Sequence, residues 1–111
     1  MKVRYLHEGE YQGSDMTVGK VYVVIGIEAD SYRIINDVQM PYLYSQNQFE
    51  VVEPDKPSFW VIEYGDEQEE YSYPLSWNTP GFFEDFHDGK KDVINQFWVE
   101  CEALYGIPKN V

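Results

Sequence analysis

The sequence predicts one α+β domain, in which a small five-stranded β-barrel is extended by a β-hairpin and packed against one C-terminal amphipathic α-helix. Three observations predict it. The first half alternates short β-rich runs with polar, glycine-containing connectors. Residues 58–77 repeat period-two alternation around an acidic loop, and residues 88–105 change to helical spacing. At 111 residues the chain is the size of a single domain with one core, and 43% hydrophobic with 17% aromatic residues is enough apolar surface to fold it.

The first strand is KVRYL at 2–6, followed by a long glycine-containing loop at 7–19. In KVYVVIGIE, Val21, Val23, Ile25 and Ile27 recur at period two on one face, while Tyr22 and Val24 fall on the other. That strand is therefore expected to be buried on both sides. Ala29, Asp30 and Ser31 make a tight connection to YRIIND, which contributes Ile34 and Ile35 to the core, and Asn36 and Asp37 begin the next turn. PYLY at 41–44 and FEVVE at 49–53 bring the count to five strands, with the short polar SQNQ between them.

Strand, long loop, three-strand meander, one helical turn and a last short strand is a layout that resembles the Src-homology-3-type barrel. The resemblance covers residues 2–53, and YLYSQNQFEVV is its most specific part. It implies fold alone. The aromatic-acidic motif and the Trp that make the proline-rich peptide groove in that family are missing before residue 53, although Tyr5, Tyr11 and Tyr44 are available to line another groove.

After the connector EPDKP, SFWVIEY at 58–64 and YSYPLSW at 71–77 read as a hairpin, with Pro74 marking an edge strand. In 88–105, Val93, Ile94, Phe97, Trp98, Cys101, Leu104 and Tyr105 form one helical stripe. Asp88 is the expected N-cap, and Gly106 with Pro108 ends the helix. The domain thus spans 1–111, with a barrel-like part at 2–53, a hairpin at 58–77 and a helix at 88–105.

Twenty acidic against eight basic residues leave a formal net charge of -12. Phosphate backbones are bound through Lys and Arg, so nucleic acid is excluded as the expected ligand, and the surplus either maintains solubility or meets a cationic protein. The lone Cys101 allows no internal disulfide and sits on the helix stripe as a buried, inert thiol. No apolar run approaches the ~18 residues of a membrane span, so a cytoplasmic location is expected.

GFFEDFHDGKKD at 81–92 gathers Glu84, His87 and Asp88, the residue types of a metal site, within one local segment. Its simpler reading is structural: Thr79-Pro80 starts a turn, Phe82, Phe83 and Phe86 enter the core, and Asp88 caps a helix. No nucleophile elbow, phosphate loop or cofactor motif is present, so neither an enzyme nor a cofactor is expected. The hairpin carries Tyr64, Asp66, Glu67, Glu69, Glu70, Tyr71 and Tyr73, a pattern suited to a Lys- or Arg-rich partner. Lys90 and Lys91 oppose the helix dipole in the first turn, so one of them is expected to pair with acidic residues of the hairpin or its flanks.

The function expected from this reading is a non-catalytic acidic binding protein of the bacterial cytoplasm that engages a basic protein. In general character it resembles immunity proteins, which cover a cationic toxin with matched charge. The alternatives are a structural or regulatory homo-oligomerising module and, third, a metal-dependent hydrolase using Glu84, His87 and Asp88.

Overall fold

A computed structural model describes residues 1–6 and 15–110, so Tyr11 and most of the loop expected at 7–19 lie outside the described residues. Among the described residues are seven antiparallel strands: β1 (Lys2–Tyr5), β2 (Val21–Glu28), β3 (Ser31–Ile35), β4 (Pro41–Ser45), β5 (Phe49–Glu53), β6 (Trp60–Tyr64) and β7 (Glu70–Pro74). Helices α1 (Phe82–His87) and α2 (Lys91–Tyr105) follow. The first five strands run in the order β4-β3-β2-β1-β5, and β7 joins β2 to β6. No ladder links β4 to β5 among the described residues, so the sheet is open and not the expected closed barrel. A single 3₁₀ turn, Gln46–Gln48, carries the chain between strands at opposite ends of the five-strand path, because β5 pairs with β1 and leaves β4 with an unpaired edge.

The eight residues of β2 have three partners. One edge runs along β3, while the other is shared by β1 at Val21–Val23 and by β7 at Ile27 and Glu28. A register irregularity between Val24 and Gly26 shifts the face that each side chain occupies. Tyr22, Val24 and Ile27 therefore share one apolar cluster with Val3, Tyr32, Ile34 and Phe49, whereas Val23 and Ile25 belong to the other. This corrects the uniform alternation of Val21, Val23, Ile25 and Ile27, and Val21 is exposed. Beside the irregularity Gly26 is required, since a Cβ there would run into the ring of Tyr73.

The two clusters occupy opposite faces. In the first, Phe49 meets Tyr5, Tyr32 and Tyr44 at ring-centroid distances of 5.5, 5.8 and 6.4 Å. In the second, Trp77 meets Phe97 at 4.7 Å, with Phe82, Phe83 and Tyr105 around them. Phe82, Phe83 and Phe86 are buried, as their spacing predicts.

Strand β7 stops at Pro74, and Leu75–Trp77 turn as a 3₁₀ segment, so the hairpin is shorter than 58–77. Pro74 does not mark an edge strand, because β7 lies between β2 and β6 and the edge is β6. It marks the end of the β2 ladder instead. Continuing the Ile27↔Ser72 register would set Pro74, which has no N–H, opposite Ile25. The Ile25 carbonyl accepts from the Tyr105 hydroxyl at 2.9 Å, and that hydroxyl accepts from Trp60 Nε1 at 2.7 Å.

Asp88 does not cap the long helix; it closes α1, donating its N–H to the Glu84 carbonyl at 2.9 Å. Gly89, at φ 84°, breaks the chain between the helices, and Lys90 takes the N-cap position of α2 without a side-chain cap. Lys90 pairs with Asp85 of α1 at 3.0 Å, so its compensation comes from the preceding helix and not from the hairpin. Phe97, Trp98 and Cys101 are buried along α2, whereas Leu104 is exposed. Gly106 ends the helix in the left-handed region, as expected.

Tyr105→Phe removes one hydroxyl and leaves the Trp60 donor and the Ile25 acceptor unpaired. It should cost about 1–3 kcal/mol in urea denaturation with little change in the denaturant slope.

Candidate functional site

Alternation along β7 divides the acidic hairpin between two faces. Glu70 and Ser72 turn to the side away from the helices, where Glu70 accepts from Lys56 at 2.7 Å and from Ser72 at 2.5 Å. Burial pushes the Glu70 carboxyl up, and the bonds from Lys56 and Ser72 outweigh it and hold the group below its ordinary range. Tyr71 and Tyr73 turn toward the helices, and Tyr73 is buried. In the loop, Glu69 Oε2 accepts the Glu67 N–H at 2.9 Å. Exposed carboxylates remain on Asp66 and Glu67, beside Tyr64, which is 63% exposed. Glu63 accepts from the Asn78 amide at 3.1 Å. None of Glu63, Asp66 and Glu67 forms an ion pair among the described residues. The residues expected to act as one surface are thus separated, and Tyr73 and Glu70 are committed to internal bonds.

The sequence-based expectations passed over Arg33. Its side chain is buried in β3, and it donates Nε to the Tyr73 hydroxyl at 2.9 Å, Nη1 to the Pro41 carbonyl at 2.8 Å and Nη2 to Glu28 Oε2 at 2.6 Å. The Tyr73 hydroxyl donates to the same Glu28 oxygen at 2.6 Å, and Arg33 Cζ lies 3.9 Å from the centroid of Phe83. Burial, more than any neighbour, pushes the Tyr73 phenol far up. The available signal was an arginine inside an apolar strand, with Glu28 just across a two-residue turn.

This network floors a cleft of about 230 Å³ walled by Tyr71, Trp77, Asn78, Phe82 and Glu84. With three of its donors bonded to Tyr73, Pro41 and Glu28, the guanidinium cannot be redirected without breaking the link between β3 and β7, so the network anchors the cleft floor.

Glu84, His87 and Asp88 do not converge: no group of three or more His, Cys, Asp or Glu side chains able to hold a metal ion occurs among the described residues. His87 stacks on Tyr42 at 5.0 Å. Burial, then the nearby Arg33 charge, lowers its pKa, with the Pro41 carbonyl and Asp88 acting in the opposite direction. Cys101 is buried, and burial pushes its thiol up to about 12, which leaves it unreactive at neutral pH. Tyr44 packs on the first cluster and accepts from Asn36 Nδ2 at 3.0 Å, and Tyr5 is buried there, so the groove that they were available to line is not formed by them.

Comparison of the chain with protein-family models, curated proteins and solved structures finds no match. No helix among the described residues is long and apolar enough to cross a membrane.

Glu28→Leu strands the Arg33 charge and should cost about 3 kcal/mol, the low end for a broken buried pair because Glu28 is partly exposed. Adding Arg33→Met should recover most of that loss in urea denaturation. A second expectation concerns pH. The unfolded chain binds the His87 proton more readily than the folded one, so stability gained above about pH 6.5 declines as pH falls below that value toward the folded pKa. His87→Gln should flatten the slope of denaturation midpoint against pH between about 5.5 and 7.

Proposed function

We propose that this protein is a non-catalytic acidic binding protein that engages a basic protein partner through the hairpin end of the sheet, in the manner of an inhibitor or immunity protein. The observation that carries this reading is how the charge is distributed. Among the described residues, six of the chain's eight basic side chains are each held by one carboxylate, and Glu63, Asp66 and Glu67 lie outside those ion pairs. Lys56, the cation nearest the hairpin tip in sequence, is bound to Glu70. Glu63, Asp66 and Glu67 therefore present negative charge beside an exposed tyrosine, the combination of aromatic anchor and charge that protein interfaces use.

The β1–β5 part retains the Src-homology-3-type reading as an open variant. Two ladders share β2, and a 3₁₀ turn separates the last two strands. In this reading the half-barrel is scaffold and the added hairpin is the working end.

The test is capture from a lysate of the source organism, with immobilised wild type and a Glu63→Gln, Asp66→Asn, Glu67→Gln variant, eluted with a salt gradient. A basic protein held by the wild type, released by moderate salt and not held by the variant is the expected result. Equal retention by both proteins, or retention insensitive to salt, rejects the acidic end as the working surface.

A further inference from the structure

Strand β6 pairs with β7 on one side alone, and its register runs without a bulge from Trp60↔Pro74 to Tyr64↔Glu70. The Gly65 N–H donates to the Glu69 carbonyl at 2.9 Å, which fixes the phase of the ladder. Hydrogen-bonded pairs alternate in an antiparallel ladder, so Val61 and Glu63 turn their backbone groups to β7. Ile62 and Tyr64 turn theirs outward, and among the described residues no bond from another element reaches them.

Open edges are ordinarily blunted by lysine, proline or a bulge, and β6 has none of these. The edge of β5 differs: its acidic residues Glu50 and Glu53 are paired with Arg4 and Lys2, and its ladder with β1 is irregular. The edge of β4 begins with a proline, and His87 stacks on its Tyr42. Strand β6 alone combines a regular open edge with carboxylates that lack a counter-charge, at Glu63 and in the adjoining Asp66 and Glu67. Its Ile62 and Tyr64 side chains are exposed as well.

We propose that β6 takes up an extended, Lys- or Arg-bearing segment of the partner as an added strand. Backbone N–H and C=O groups of Ile62 and Tyr64 bond that segment, while Glu63, Asp66 and Glu67 select its charge. A second copy of β6 fits poorly, because pairing would set these carboxylates against their own counterparts in a chain of net charge -12. The inference rests on the reading of the hairpin as a basic-partner surface and specifies how that surface binds.

The probe is the capped peptide acetyl-(Lys-Val)₄-amide, titrated at low salt and followed by amide hydrogen exchange, with (Glu-Val)₄ as control. Binding should slow exchange at Ile62 and Tyr64. Ile62→Pro removes an outward donor and leaves the β7 ladder intact, and it should weaken binding by about tenfold, equivalent to ~1.4 kcal/mol. A (Lys-Val)₄ peptide N-methylated on alternate residues should lose a similar factor with the unaltered protein, which keeps the test valid if Ile62→Pro fails to fold. Salt-sensitive binding that leaves Ile62 and Tyr64 unprotected, or that survives both changes, overturns strand addition and leaves the acidic surface standing. Equal binding of (Glu-Val)₄ overturns both readings, and no binding of either peptide overturns strand addition. Protection of the two amides that grows with protein concentration in the absence of peptide identifies a second copy as the occupant, and this also overturns the proposal.

Discussion

Strand β2 is the constraint on which the rest of the architecture depends. Eight residues serve three neighbouring strands and two apolar clusters, so both edges and both faces of the strand are occupied. A straight strand could not do this, because β1 and β7 share one edge and the side chains would keep a single alternation throughout. The irregularity at Val24–Gly26 resolves the conflict. It lets Val24 and Ile27 enter the same cluster and brings the Tyr73 ring over a residue with no Cβ.

Polar groups secure what the irregularity opens. Tyr105, from the last turn of α2, reaches the Ile25 carbonyl and Trp60, so one hydroxyl ties the helix to two strands. On the same side of the sheet, Arg33 joins β3 to Glu28, to Tyr73 and to the start of β4. A buried ion pair of this kind contributes little net stability compared with an apolar substitute, but it penalises any packing that separates its members. Near the opposite end of β2, Asp37 accepts from Thr17 at 2.6 Å, Lys20 at 2.8 Å and Tyr22 at 2.9 Å, fastening the segment before β2 to the β3–β4 turn.

These commitments shape the electrostatics. Six of the cations are held at structural junctions, where they secure contacts between segments of the chain. Ion pairs neutralise carboxylates on β2, β5, β7 and α1, whereas Glu63, Asp66 and Glu67 at the hairpin end, like Asp88, Asp92 and Glu102 by the helices, stand outside them. Exposed ion pairs such as Arg4–Glu50 add roughly 0–1 kcal/mol each, so their main effect is on where the uncompensated charge lies.

Local patterns in the sequence determined the elements themselves. Its β-rich composition marked FEVVE as a strand with its observed bounds, helical spacing marked the Phe97, Trp98 and Cys101 stripe, and Gly106 marked the end of α2. These follow from interactions within a few residues, which the sequence displays directly. Tertiary structure decided what depended on distant partners. The phase change in β2, the inner place of β7 and the division of the hairpin tyrosines each depend on a neighbour far along the chain. Arg33 shows the difference most plainly: its charge was legible, but its role required Tyr73, forty residues away, to be brought within 2.9 Å. The open sheet has the same origin, since strand periodicity does not encode that β5 pairs with the distant β1 and not with β4, its neighbour in sequence.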